Sequence, residues 1–587
     1  MTLVCHYSPW QRVGGVTHDQ YAVVGRRRCN AMSDAEEGMF DKFLDEIDPA
    51  VFLFGAVITI GVIVAFFVSP TAVENGISTL NDQMLGMFNW AMLLIVFLIV
   101  VFLLFLIVGP WGSIKLGDES PEYSFLSFFA MLYSAGFAAG VVFWGPTEAL
   151  FYYDSVPPLF GGVESGSAGA MTVAIQQTLF HWALPQLAVF TIMGIAIGYF
   201  AYNYENVPLR VSSALTPILG ADNLDGPAAK VIDILAVFAT IGGVATSLGF
   251  IGSQFITGLD YQWGIEMGNL GILLVVTVMT LLFTTTMVLG VDKGIRRLSN
   301  FNMILFVILM VATFVVGPTL FLILLGTQAI GGMMTDFVSM SLYTGAGLFG
   351  SGNPDATGWM NAWTVFYWAW ALSWSPFAGL FIARISKGRT VREVAFTGIV
   401  ATSAATIPWF TVVGGTAVWS QHNGIADFGA VMAGEMGAEV SGFILFETFP
   451  LGSVFMLAFM VLVTTFFVTS ADSSTLAVSM MTTGGKARPS TFNRIFWGVV
   501  LGMTAAILMI LGGTGSANTL QQAAIITGTP FAFVCFFAML SLIRDFGKTS
   551  GKVLLQDETV LYGPGQETER DSSSGPGPGG PMEADDD

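Results

Sequence analysis

The chain has 587 residues, 54% of them apolar and 11% charged, and its mean hydropathy of +0.70 excludes a water-soluble globule. A formal charge of −19 argues against a nucleic-acid partner, and three cysteines (Cys5, Cys29, Cys535) with four scattered histidines offer neither a disulfide framework nor zinc-ligand spacing. What remains is an all-α polytopic membrane protein, because runs such as 51–68, 91–108 and 272–289 each match the ~30 Å of a bilayer's hydrocarbon.

Residues 1–48 read as an N-terminal arm. Its first part, 1–31, holds Arg12 and the run Arg26, Arg27 and Arg28, whereas Met32 opens an acidic segment leading into the first span. Met32 is therefore the expected start, with 1–31 an untranslated extension or a disordered arm; no secretory leader pattern is visible. Two leading spans follow at 50–69 and 86–109, then five more at 124–152, 170–202, 229–258, 270–290 and 299–326. The segment 328–343 is amphipathic and is expected to lie along the outer membrane surface, as is 427–446. Spans at 358–383, 393–420, 451–483, 491–511 and 518–542 bring the expected total to twelve. The tail, 544–587, ends SSSGPGPGGPMEADDD and is expected to be disordered.

Charge orients these spans. With the N-terminus inside, all 22 Lys and Arg fall on cytoplasmic segments, and the outer loops are acidic, with residues such as Glu74, Asp154, Asp336 and Glu447. Both termini are then cytoplasmic, in a plasma membrane. Only 8 of the cations are Lys, set against 41 acids, a balance suited to a salt-rich cytoplasm or medium such as a halophile's.

Three constellations inside the membrane carry chemistry. The third span contains Gly136, Ala138, Ala139 and Gly140, which suit either a close helix contact or an unwound ion-binding segment. In the eighth, five tryptophans lie between positions 359 and 374, and Trp363, Tyr367, Trp370 and Trp374 at i, i+4, i+7 and i+11 share a helix face. Pro376 is expected to interrupt that helix's backbone ladder at about membrane depth. A stripe of four rings suits a cation or bulky ammonium group better than lipid. The tenth span holds Thr469, Ser470, Ser473, Ser474 and Thr475 around Asp472, hard oxygens suited to an alkali cation. The alternative for these hydroxyls is bonding back to their own helix carbonyls.

The order SAGFAAGVVFWGPTEA, FHW, WAWALSWSPFAGLFIARISKGRTVREV and FVTSADS resembles the betaine/choline/carnitine transporter family over about residues 45–545. The resemblance implies a leucine-transporter-like 5+5 inverted repeat, with repeats at 124–327 and 358–543, a connection at 328–357 and two extra leading helices within 49–123. It also implies a homotrimer. Carried over by motif, the substrate site would comprise Ala135, Gly136, Trp182, Phe190, Trp368, Trp370 and Trp374. One sodium site would use carbonyls of Ser134, Phe137 and Phe466 with the hydroxyls of Thr469 and Ser470; the other would use Thr240, whose i+4 partner here is Val244. The chain departs from betaine-type members at Leu187, Phe190 and Ala371, where they carry other aromatics, so its cage holds fewer rings.

The resulting expectation is a sodium-coupled secondary transporter, with no cofactor beyond its coupling ion, importing a quaternary-ammonium or zwitterionic compatible solute. Glycine betaine stands first, then choline or carnitine. The alternatives are a sodium-independent exchanger of the same family and a symporter for another osmolyte such as ectoine. An enzyme is not expected, since no HExxH, serine–histidine pair or nucleophilic cysteine context is present.

Overall fold

The computed structural model describes residues 39–550 apart from 289–290, 347–354, 435, 487 and 513–515. The expectations for 1–31 and for the tail beyond 550 lie outside the described residues. Among those described, all regular elements are helical, and ten helices are long and apolar enough to cross a membrane.

The chain opens with α1 (Met39–Glu46) and α2 (Pro49–Val68), whose N-terminus is capped by the Asp48 carboxylate accepting the Val51 N–H at 3.3 Å. Next comes α3, Pro70–Val108, far longer than the expected 86–109. Its first half is polar and mostly exposed, yet it contains no interior Pro, so polarity alone does not end the helix.

Several expected spans are broken where proline or glycine removes ladder hydrogen bonds. The span expected at 124–152 divides at Gly145, Pro146 and Thr147 into α4 (Phe125–Trp144) and α5 (Glu148–Asp154). The break thus falls after Gly140, and the Gly136–Gly140 stretch is helical rather than unwound. That expected at 170–202 divides at Ala183, ahead of Pro185, into α6 (Ala168–Trp182) and α7 (Leu184–Asn203). After α8 (Pro227–Trp263) and α9 (Asn269–Val288), α10 (Val291–Val316) stops at Gly317 and Pro318 instead of running to 326. The residues beyond belong to α11, Thr319–Ser341, so the outer helix expected at 328–343 begins earlier and is itself apolar enough to be counted among the ten.

Helix α12 (Thr357–Ile385) includes a π-helical turn at Asn361–Val365 and continues through Pro376, which lacks an N–H to donate to the ladder. It is followed by α13 (Val391–His422), which contains two further π-helical stretches, Phe396–Ala401 and Phe410–Gly414. The segment expected at 427–446 holds only short pieces, Phe428–Met432, Ala438–Val440 and the start of α14 (Ser441–Glu447). The chain closes with α15 (Gly452–Met481), α16 (Thr491–Gly512) and α17 (Ser516–Ser550), so helix persists past 544, where disorder was expected.

The hub is α12, which packs against α7, α8 and α17 and is 94% buried over its apolar window. Small residues allow that closeness. A Cβ on Gly528 of α17 would collide with the Ala369 carbonyl of α12, and one on Gly243 of α8 would collide with Ser373.

The two ends of the bundle differ in charge. At one end, Leu116 N–H donates to the Arg389 carbonyl at 2.9 Å, and Asn203 Nδ2 donates to the Lys115 carbonyl at 3.0 Å. There, too, Asp545 accepts the hydroxyls of Tyr199 (2.8 Å) and Tyr204 (2.6 Å), Arg544 reaches the Pro217 carbonyl, and Lys230 pairs with Asp48. Arg392 caps the C-terminus of α3 by donating to the carbonyls of Ile107 (2.7 Å) and Gly109 (2.9 Å). The other end is joined by Gln176 to Asp336 (2.9 Å), Tyr153 to His422 (2.8 Å) and Tyr261 to Glu447. The cationic loops thus gather at one end, as the charge count requires.

Gly528→Ala is expected to separate α17 from α12 and destabilise the protein by about 1–3 kcal/mol, the usual cost of overpacking. Thermal unfolding of the purified variant checks this; an unchanged midpoint would show that the interface has slack.

Candidate functional site

The breaks in the first half of the bundle create the site. Because α4 ends at Trp144, Glu148 opens a new short helix, where the N-terminal dipole favours a carboxylate. The side chain is fully buried. Its Oε1 accepts the Tyr152 hydroxyl at 2.9 Å and lies 2.9 Å from His181 Nδ1, while Oε2 accepts the Tyr367 hydroxyl at 2.6 Å and the Trp182 indole N–H. His181, also fully buried, stacks on Tyr367 at 4.6 Å and places Nε2 3.1 Å from Thr364 Oγ1 and 3.0 Å from Gln177 Nε2. One carboxylate therefore holds together α5, α6 and α12. A carboxylate this deep is tolerable because its lone pairs are matched by donors from three helices.

Beside this cluster lies a small, narrow cavity lined by Gly140, Trp182, Gln186, Phe190, Trp370, Ala371 and Trp374. Gln186 and Phe190 are one turn apart on α7, as are Trp370 and Trp374 on α12. Trp182 and Trp370 meet edge to face at 6.0 Å and 90°, and a Cβ on Gly140 would stand 2.7 Å from both rings. Glycine is thus required where the two indoles converge. Each is fixed from behind. Trp182 stacks on Phe410 at 4.9 Å, and Trp370 donates its N–H towards Ser247 Oγ (3.2 Å) and the Gly243 carbonyl (3.3 Å).

Of the residues expected to bind substrate, Trp182, Phe190, Trp370 and Trp374 come together here. Trp368 does not line the cavity; it is buried against Phe180 and His181 with ring centroids 5.4 and 5.7 Å away. Ala135 and Gly136 fall within α4, but their side-chain positions lie outside the described residues, as do those of Ser134 and Phe137. The tryptophan stripe is a seam towards α4–α6 rather than a single binding surface. Trp363 packs on Tyr152 (4.9 Å) and Phe151 (5.2 Å), and only Trp370 and Trp374 of the four reach the cavity.

The hydroxyl-rich stretch lies within the continuous helix α15, which packs against α4. Ser474 and Thr475 donate to the carbonyls of Ser470 (2.7 Å) and Ala471 (2.6 Å), so their hydroxyls serve their own helix. Thr469, Ser470 and Phe466 are buried, and the Thr469 hydroxyl accepts from Asn302 Nδ2 of α10 at 3.2 Å. The Asn302 Oδ1 atom is buried and meets no hydrogen-bond donor among the described residues. The Thr469 hydroxyl also lies 3.2 Å from the carbonyls of Thr465 and Phe466 in its own helix, and all of these are oxygens of the hard type that suits a monovalent cation. Thr240 sits elsewhere, on α8, its hydroxyl 3.9 Å from Met481 sulfur, a soft neighbour unsuited to sodium. Thr246 and Ser247 donate to the carbonyls of Gly242 (2.9 Å) and Gly243 (3.1 Å).

The family described as BCCT, betaine/carnitine/choline family transporter, matches residues 50–551. The chain belongs to that family. It is 37% identical over 501 residues to the glycine betaine transporter OpuD of Bacillus subtilis, covering 85% of this chain and 94% of that protein. It is 34% identical to glycine betaine transporter 1 of Vibrio parahaemolyticus, covering 85% of this chain and 93% of that one. It is also 35% identical to an ectoine/hydroxyectoine transporter of Virgibacillus pantothenticus, with 79% and 90% covered. The protein is accordingly a multi-pass membrane transporter of the betaine/choline/carnitine type and not an enzyme.

Sequence reasoning missed Glu148, Asn302 and Gln186. The signal for Glu148 was an acid inside an apolar run, a functional marker in membranes. Glu148→Gln substitutes an N–H₂ for an oxygen that now accepts donors, leaving buried donors facing a donor, and is expected to cost about 3 kcal/mol of stability. Tyr367→Phe, which removes one donor to a charged acceptor, should cost about 1.5–3 kcal/mol. Thermal unfolding together with the KM for solute uptake checks both; wild-type values for Glu148→Gln would mean that the carboxylate does not set the rings.

Proposed function

We propose that this chain is a secondary active symporter that imports a compact zwitterionic compatible solute with sodium. The observation that carries the substrate class is the small cavity walled by Trp182, Phe190, Trp370 and Trp374, with no acidic side chain in its lining. Ring faces hold a weakly hydrated ammonium by cation–π attraction where a carboxylate would bind a metal ion or an amine more strongly. The relatives named for glycine betaine and for ectoine bring forward both a fully methylated ammonium and a cyclic amidinium as the cationic group.

The ion reading rests on Thr469, Ser470 and the Phe466 carbonyl of α15, on the packing of α15 against α4, the helix that carries Ser134 and Phe137, and on Asn302 Oδ1 as an added oxygen. One sodium ion moving inward contributes about 2.3 kcal/mol per 100 mV, sufficient for roughly a 50-fold solute gradient. A sodium-independent exchanger is the second reading, favoured by the Asn302 bond that already engages the Thr469 hydroxyl and by the thioether beside Thr240. The architecture proposed is twelve spans in a leucine-transporter-like inverted repeat, as a homotrimer in the plasma membrane. Both termini are cytoplasmic in this reading, because the cationic end of the bundle belongs inside.

Uptake into proteoliposomes with and without sodium tests the coupling. The parent should accumulate solute only with sodium, Thr469→Ala/Ser470→Ala should lose that accumulation, and Trp374→Ala should lose saturable uptake. Equal uptake by the parent in sodium-free buffer would replace the symporter with the exchanger. Orientation is checked separately. A cysteine introduced in 427–446 should react with an impermeant thiol reagent from outside, and one at Lys387 only after permeabilisation.

A further inference from the structure

We propose that Gln186 makes this transporter prefer solutes whose cationic group carries an N–H, such as an amidinium or an incompletely methylated ammonium, over quaternary ammonium compounds. The inference rests on the reading of the ring-lined cavity as the solute site, and it narrows the substrate class taken there.

Gln186 lies on the first turn of α7, just past the Ala183 break, between the two aromatic walls supplied by Trp182 and Phe190. It is 5% exposed, and its Oε1 meets no hydrogen-bond donor among the described residues. An amide oxygen withdrawn from water with nothing to accept is unfavourable, and in a cavity wall it is matched when a ligand supplies the donor. Phe190 beside it has no hydroxyl to offer.

The cavity's other polar atoms sort in the same direction. The Trp182 N–H is taken by Glu148 and the Trp370 N–H by Gly243 and Ser247. The Trp374 N–H is buried with no acceptor among the described residues. The lining therefore offers ring faces for a positive charge, one unmatched acceptor in the Gln186 Oε1, and donors in the Trp374 N–H and the Gln186 amide nitrogen. Glu148 cannot take the acceptor's part, because its oxygens already receive Tyr152, Tyr367, Trp182 and His181. A compact zwitterion with an N–H satisfies the Gln186 oxygen and the Trp374 N–H, its cation donating to the first and its carboxylate accepting from the second. A fully methylated ammonium satisfies the rings and Trp374 but presses methyl groups on the Gln186 oxygen. Sites built to bond a substrate N–H discriminate strongly against the analogue that lacks it.

The test compares glycine betaine with N,N-dimethylglycine, which differs by one methyl replaced by hydrogen, and with ectoine. Binding to the purified full-length protein is followed by tryptophan fluorescence, and uptake is measured in proteoliposomes. Dimethylglycine and ectoine are expected to bind roughly 10- to 100-fold more tightly than glycine betaine, the range of a hydrogen bond to a charged group. Gln186→Leu should bring that ratio down to about 3 or less, and Gln186→Met, closer in shape, should do the same. Parent affinity for glycine betaine equal to or above that for dimethylglycine overturns the inference while leaving the transporter reading intact. An undiminished ratio in either variant overturns it as well. Binding of none of the three solutes by the parent removes the zwitterion reading itself, and the inference falls with it.

Discussion

The carboxylate of Glu148 is the interaction on which the site depends. At membrane depth, an ion without partners is expelled or neutralised, so its presence obliges the surrounding helices to converge with donors. Tyr152 comes from the same short helix, His181 and Trp182 from the end of α6, and Tyr367 from α12. The same bonds that satisfy the anion turn the Trp182 ring towards the cavity. Satisfying a buried charge and shaping a binding wall are here a single requirement.

The second requirement is room. Without a hydrophobic force between helices in lipid, packing depends on how closely backbones approach. Gly140 lets Trp182 and Trp370 meet, Gly243 admits Ser373 and Trp374, and Gly528 lies against the Ala369 carbonyl. These three glycines come from α4, α8 and α17, the helices around the upper and lower halves of α12. Large aromatic residues on α12 and absent side chains on its neighbours are two halves of one packing solution.

Much of this was legible in the sequence, and what was not has physical causes. Hydropathy located nine of the ten helices that are long and apolar enough to cross a membrane among the described residues, α11 being the exception, and Lys/Arg placement foretold a cationic end, because both are set by transfer from water to lipid. Hydropathy does not register breaks, since Pro146 and Pro318 lie among residues as apolar as their neighbours; the sequence reading therefore ran α4 into α5 and α10 into α11. The family motif brought Trp182, Phe190, Trp370 and Trp374 into one list, and the cavity contains all four. Trp368 shares the motif but points to Phe180 and His181, because adjacent positions on a helix face different neighbours. Gln186 and Asn302 escaped notice because an unmatched amide is a property of its surroundings, visible only once the partners are known to be missing.

The cationic end also determines how the protein responds to ionic strength. Arg389 is 3% exposed, lies 4.2 Å over the Phe128 ring and bonds to Glu393 and the Tyr123 carbonyl. Asp545 and the Arg210–Asp233 pair are similarly enclosed. Mobile ions screen charges they can surround, and the Debye length falls from about 10 Å at 0.1 M salt to about 3 Å at 1 M. An exposed pair such as Lys387–Glu119 fades over that range, whereas enclosed guanidinium and carboxylate bonds do not. The enclosed part of this end's fastening thus holds as the salt around it rises, even though the chain carries a large unbalanced charge.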